Sequence, residues 1–96
     1  MKQRILMIED DIYIRELYEE VLRNAGYEVI TAIDGELGLA KATEGVYDLI
    51  LLDIMLPKMT GIEVLKKLRE AGGATESVPV YLLTNLGEET IAKETY

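Results

Sequence analysis

Acidic side chains close two short apolar runs in this chain. Ile5-Leu6-Met7-Ile8 leads into Glu9-Asp10-Asp11, and Leu49-Ile50-Leu51-Leu52 leads into Asp53. If both runs are strands of one parallel sheet, Glu9, Asp10 and Asp53 gather at one edge. Three crowded carboxylates repel, so at least one takes up a proton unless a cation joins them. An all-oxygen donor set suits Mg2+ or Mn2+ rather than zinc. Mg2+ takes one or two carboxylates directly and keeps its other positions for water or phosphate oxygens, which suits the cluster to phosphoryl chemistry. An aspartate can itself be the nucleophile and carry the group as an aspartyl phosphate, while the metal neutralises the phosphoryl oxygens. Thr84 follows another apolar run, Val80-Tyr81-Leu82-Leu83, the fourth strand below, and offers a hydroxyl to a phosphoryl oxygen.

The surrounding pattern supplies the elements such a cluster needs. Ile5 to Ile8 reads as a strand. Ile14, Leu17, Tyr18, Val21, Leu22 and Ala25 then recur at helical spacing, with Gly26 placed for a left-handed C-cap. Tyr27 to Ala32 reads as a second strand, and a short helix spans Leu37 to Thr43 after the Asp34-Gly35 turn. Tyr47 to Leu52 is the third strand. Pro57 falls in a loop, Gly61 opens a helix through Ile62, Leu65 and Leu68, and Gly72-Gly73 stops it. Val78 to Leu83 is the fourth strand, with Pro79 near its start, where a missing donor costs little. Glu88 to Tyr96 is expected to begin a fourth helix. Strands one, three and four are apolar on both faces, as in a parallel sheet covered by helices on both sides. Right-handed crossovers put every strand's C-terminal end on one edge, where open α/β sheets hold their ligands.

Composition narrows the partners. Ninety-six residues fit one domain, and an apolar fraction of 49% is that of a globular protein. The net charge is −8 without a basic stripe, which argues against nucleic acid and anionic membrane surfaces as ligands. With no Cys and no His, disulfides, thiol nucleophiles and histidine acid–base chemistry are excluded. The apolar stretch after Arg4 is too short for a signal peptide or a membrane span, and a cytoplasmic protein is expected.

The sequence resembles the receiver domain of two-component response regulators. The resemblance is carried by Glu9-Asp10 after the first run, by Asp53-Ile54-Met55-Leu56-Pro57 with Gly61, and by Thr84 after the fourth run. It covers Lys2 to Tyr96 and implies one domain over 1–96. It implies that Asp53 is the phosphoacceptor for a histidine-kinase or phosphotransfer-protein phosphohistidine. It implies Asp10 as a direct Mg2+ ligand, Glu9 as a ligand through water, the Met55 carbonyl as a further ligand and Thr84 as a switch hydroxyl. The fold it implies is a flavodoxin-like α/β sheet with strand order 2-1-3-4 and helices on both faces. Two departures stand out. Asn85 follows Thr84 where the family has a small residue, and the family's fifth βα unit, with its lysine, is expected to be missing.

Bland roles compete with functional ones. Asp11 reads as a helix cap and Lys58 as a solvated loop lysine. Tyr13, Tyr18, Tyr81 and Tyr96 read as packing residues. A Mg2+-dependent phosphohydrolase is disfavoured because Met55 stands where such enzymes usually place a second aspartate, so the chain reads as a signalling domain rather than an enzyme. The rival reading is a truncated folding or assembly module without phosphotransfer. Without a fifth strand, strand four would be an apolar edge. A homodimer through that strand, or through exchange of elements, is therefore expected.

Overall fold

The computed structural model describes residues 2–86 and 89–95, with side chains described as far as Leu83. The chain alternates strand and helix: β1 (Arg4–Ile8), α1 (Ile12–Asn24), β2 (Glu28–Ala32), α2 (Gly35–Glu44), β3 (Leu49–Asp53), α3 (Gly61–Ala71), a 3-10 turn at Gly73–Thr75, β4 (Val80–Leu86) and β5 (Glu89–Thr95). The sheet order is β2-β1-β3-β4-β5. The first four strands pair in parallel, which is the expected 2-1-3-4 arrangement.

Strand side chains alternate between two cores, as the two-residue period requires. Leu6, Ile8, Ile50, Leu52, Val80 and Leu82 pack with Ala42 of α2 and with Val64, Leu65 and Leu68 of α3. Ile5, Met7, Val29, Leu51 and Leu83 face the other way, against Tyr18 and Leu22 of α1. Sequence marks every helix end. Asp11 caps α1 by accepting from the Tyr13 and Ile14 N–H groups, Asp34 caps α2 at Leu37, and Thr60 caps α3 at Glu63. Gly26 follows α1 at φ 99°, a conformation that a side chain would strain.

The C-terminal segment corrects the sequence reading. Residues 89–95 form a strand, not a helix, and a fifth strand is present. It runs antiparallel to β4, from Leu86↔Glu89 to Val80↔Thr95, so it is not a fifth parallel βα unit. A two-turn helix is marginal alone, whereas pairing satisfies the backbone groups along the exposed side of β4. Consequently β4 is no edge, and neither route expected for a homodimer, through strand four or through a final helix, is available in this structure. The tyrosine reading divides. Tyr18 and Tyr81 are half-buried as expected, but Tyr13 is 82% exposed, and the structure of Tyr96 lies outside the described residues.

Candidate metal and phosphoryl site

Register builds the site. Ile8 of β1 pairs with Leu52 of β3, so Glu9 and Asp53, each one residue on, stand level at the same sheet edge. Asp10 follows in the short link to α1. One carboxylate oxygen from each of Glu9, Asp10 and Asp53 lies within 4.8 Å of the other two. Glu9 is 4% exposed and Asp53 8%, while Asp10 is open to solvent. The arrangement has two enclosed carboxylates and one that reaches water.

Two acids so placed cannot both be comfortably ionised. Burial raises the Glu9 carboxyl from 4.5 to about 8. The Asp11 N–H, donating to Glu9 Oε2 at 3.1 Å, works in the opposite direction. The neighbouring Asp53 and Asp10 carboxyls add to the rise. This proton uptake marks a place where a cation would be welcome. Hard oxygen donors, a water-facing third member and excess negative charge all fit a divalent ion of the Mg2+ kind.

The β3–α3 loop shapes the Asp53 side. Met55 N–H donates to Asp53 Oδ1 at 3.0 Å and fixes that carboxylate. Ile54 N–H donates to the Leu83 carbonyl at 3.1 Å, tying the loop to β4. At Lys58 the backbone is left-handed, with φ 66°, and Met59 N–H donates back to the Pro57 carbonyl at 2.7 Å, forming a γ-turn. Gly61 N–H then donates to the Ile54 carbonyl at 2.9 Å. A Cβ on Gly61 would stand 2.5 Å from the Asp53 carbonyl oxygen, so only glycine lets α3 start this close to β3.

The structure thus brings together Glu9, Asp10 and Asp53 and sets Met55 two residues beyond Asp53. Asp11 is the cap that the sequence indicated, and Lys58 is an exposed loop residue. The side chains of Thr84 and Asn85 lie outside the described residues. One residue escaped sequence reasoning. Arg15 of α1 reaches back to the Glu9 and Asp10 carbonyls. Its only sequence signal is a place on the first turns of the helix that follows two acids.

A family model described as the response regulator receiver domain matches residues 5–96. The chain belongs to this family. The receiver is 48% identical over 81 residues to the transcriptional regulatory protein DltR of Streptococcus agalactiae, covering 84% of the chain and 35% of that relative. It spans about a third of the length of the curated relatives it matches. The chemotaxis protein CheY4 of Vibrio cholerae has a solved structure similar to this receiver. Its TM-score is 0.81 at 36% identity, over 85% of this chain and 68% of that one. The response regulator TrrA of Thermotoga maritima, solved in complex with Mg2+-BeF, superposes with a TM-score of 0.79 at 43% identity, over 88% and 70%. Among the described residues no helix is long and apolar enough to cross a membrane.

Proposed function

We propose that this receiver accepts a phosphoryl group on Asp53 in two-component signalling, with Mg2+ bound beside it. The observation that carries the reading is the meeting of Glu9, Asp10 and Asp53 at one sheet edge, with Glu9 driven to hold a proton. Asp10 and Asp53 would hold the ion directly, Glu9 through water, and the Met55 carbonyl would complete the protein's share. Bound there, the ion supplies neutralisation of the phosphoryl oxygens. The Mg2+-BeF complex of TrrA supports this assignment by similarity.

Asp53 is held for nucleophilic attack. Its Oδ1 is fixed by Met55 N–H, which leaves the other oxygen to form the P–O bond as the P–N bond of a donor phosphohistidine breaks. The electron pair of that bond leaves with the donor imidazole. Thr84 would donate its hydroxyl to a phosphoryl oxygen from the neighbouring strand. The donor would be a histidine kinase or a phosphotransfer protein, and the chain would act as an acceptor rather than an enzyme. Intact mass after incubation with acetyl phosphate and Mg2+ tests this. One added phosphoryl group is expected in the native chain and none in Asp53→Asn. Labelling that persists in Asp53→Asn, or never appears in the native chain, refutes it.

A second copy of the chain is the other partner we propose. No residue of α1 is fully buried, and its exposed apolar side, rather than β4, supports that reading.

A further inference from the structure

The link between β1 and α1 carries two of the three acids, and most of its ties are local. Glu9 N–H donates to the Ala32 carbonyl at 3.0 Å, Asp11 N–H donates to the Glu9 carboxylate, and the Asp11 side chain caps α1. Those N–H bonds fix the Ile8–Glu9 and Asp10–Asp11 peptide units, and the Glu9–Asp10 unit between them is held by Arg15 through the Glu9 carbonyl. The bond reaching the Asp10 carbonyl also comes from Arg15. From its half-buried place on α1, Arg15 Nη1 donates to the Glu9 carbonyl at 3.0 Å and to the Asp10 carbonyl at 3.4 Å. The second bond is at the long end of the hydrogen-bond range, so the guanidinium grips Glu9 and steadies Asp10.

We propose that Arg15 is a positioning residue for a divalent cation at Glu9, Asp10 and Asp53, which rests on the metal-dependent reading above. Asp10 is the solvent-exposed member of the cluster and has the most freedom to lose when a cation binds. Both bonds leave the single nitrogen Nη1, whose two N–H groups are fixed in the guanidinium plane and so hold two successive carbonyls in one arrangement. The Asp10 peptide is thereby ordered before the ion arrives. Groups that orient metal ligands from behind commonly change metal affinity about 10-fold to 100-fold.

Charge and position predict opposite results, and this separates them. Arg15 is itself cationic. If its charge were what mattered, removing it would tighten Mg2+ binding, because a nearby positive charge repels the ion. If its grip on the loop matters, removing it weakens binding. Lysine keeps the charge and loses the fixed, in-plane N–H directions of Nη1.

The test is Mg2+ titration of the full chain, followed by amide NMR shifts at Asp10, Asp11 and Asp53, for the native protein, Arg15→Lys and Arg15→Gln. The expected order of affinity is native, then Lys, then Gln, with Arg15→Gln weaker by about tenfold. The metal-free melting temperature is measured alongside, since a merely structural helix clamp would lower it without changing Mg2+ affinity. Arg15→Met keeps the aliphatic stem and carries the same expectation if Arg15→Gln fails to fold. Mg2+ binding to either neutral variant as tight as native, or tighter, overturns the positioning role while the metal site stands. A native chain that binds no Mg2+ overturns both.

Discussion

Glu9 sits enclosed beside Asp53 and keeps its proton to about pH 8 in the native chain, against 4.5 for an ordinary glutamate. The sign of the resulting pH dependence follows. Between those values the unfolded chain releases a proton that the folded chain retains, so folding loses stability as pH rises through that window. Below about 4.5 the Glu9 contribution is fully present, and above about 8 it is gone. The urea midpoint of metal-free protein should therefore fall more steeply from about pH 5 to 8 in the native chain than in Glu9→Gln. Saturating Mg2+ should offset the fall, because the ion binds the ionised carboxylates. Parallel midpoint curves for the native chain and Glu9→Gln would contradict this assignment. Lys58 is the other residue under constraint. Its left-handed backbone, φ 66°, costs a non-glycine residue about 1 kcal/mol or more. Glycine reaches a positive-φ γ-turn without a Cβ clash, so Lys58→Gly should raise unfolding stability by up to about 1 kcal/mol in urea titration. A variant no more stable than the parent would show that the turn is unstrained. Glu9, Asp10 and Asp53 were legible in the sequence because strand ends in a parallel sheet share an edge. The Lys58 turn and the reach of Arg15 were not, because each depends on the path of a loop or a side chain that no periodicity encodes.

Glycines set how closely the elements approach. Gly61 and Gly38 make the contrast. A Cβ at Gly61 would meet the backbone, the Asp53 carbonyl oxygen at 2.5 Å and Ile54 Cα at 2.8 Å, and neither can move without carrying β3 with it. A Cβ at Gly38 of α2 would collide with Ile8, a side chain of the core. Overpacking of this kind costs about 1–3 kcal/mol. Gly61→Ala should fall at the upper end and also weaken Mg2+ binding, because it displaces Asp53. Gly38→Ala should lose stability with a smaller effect on the metal. Chemical denaturation beside a Mg2+ titration checks both, and equal metal affinity in Gly61→Ala and the native chain would refute the coupling. At this scale the first four strands and three helices were readable from apolar runs, caps and glycines, and the strand order followed from the family resemblance. The final element was not. Glu89, Ala92 and Lys93 read as helix formers, but propensity over two turns is weak, and the open side of β4 imposed a strand. Amide exchange should show alternating protection along residues 89–95, as on an edge strand. Continuous protection would mean the helix had won.

For the whole molecule an apolar flank is set against a high charge. On α1, Leu17 is 59% and Val21 54% exposed. Leu22 of the same helix lines a groove of about 320 Å³ with Ile5, Tyr27, Leu49 and Tyr81. A twofold contact needs one patch that complements itself, and a helix ridge beside a groove can offer that. Covering about 400 Å² of apolar surface would contribute roughly 10 kcal/mol at about 25 cal/mol per Å², against an association cost of about 4–15 kcal/mol. The difference is small, and each copy carries −8. A weak, concentration-dependent dimer is therefore expected rather than a permanent one. Light scattering should give a mass rising above 10.8 kDa as the protein is concentrated. It should rise further with salt, which screens the like charges within about 10 Å at 0.1 M. Leu17→Glu with Val21→Glu should hold the mass at that of one chain, whereas charges introduced on the β5 side should leave the dimer intact. A native mass that stays at 10.8 kDa at millimolar concentration and high salt would mean the α1 flank is not an interface between copies.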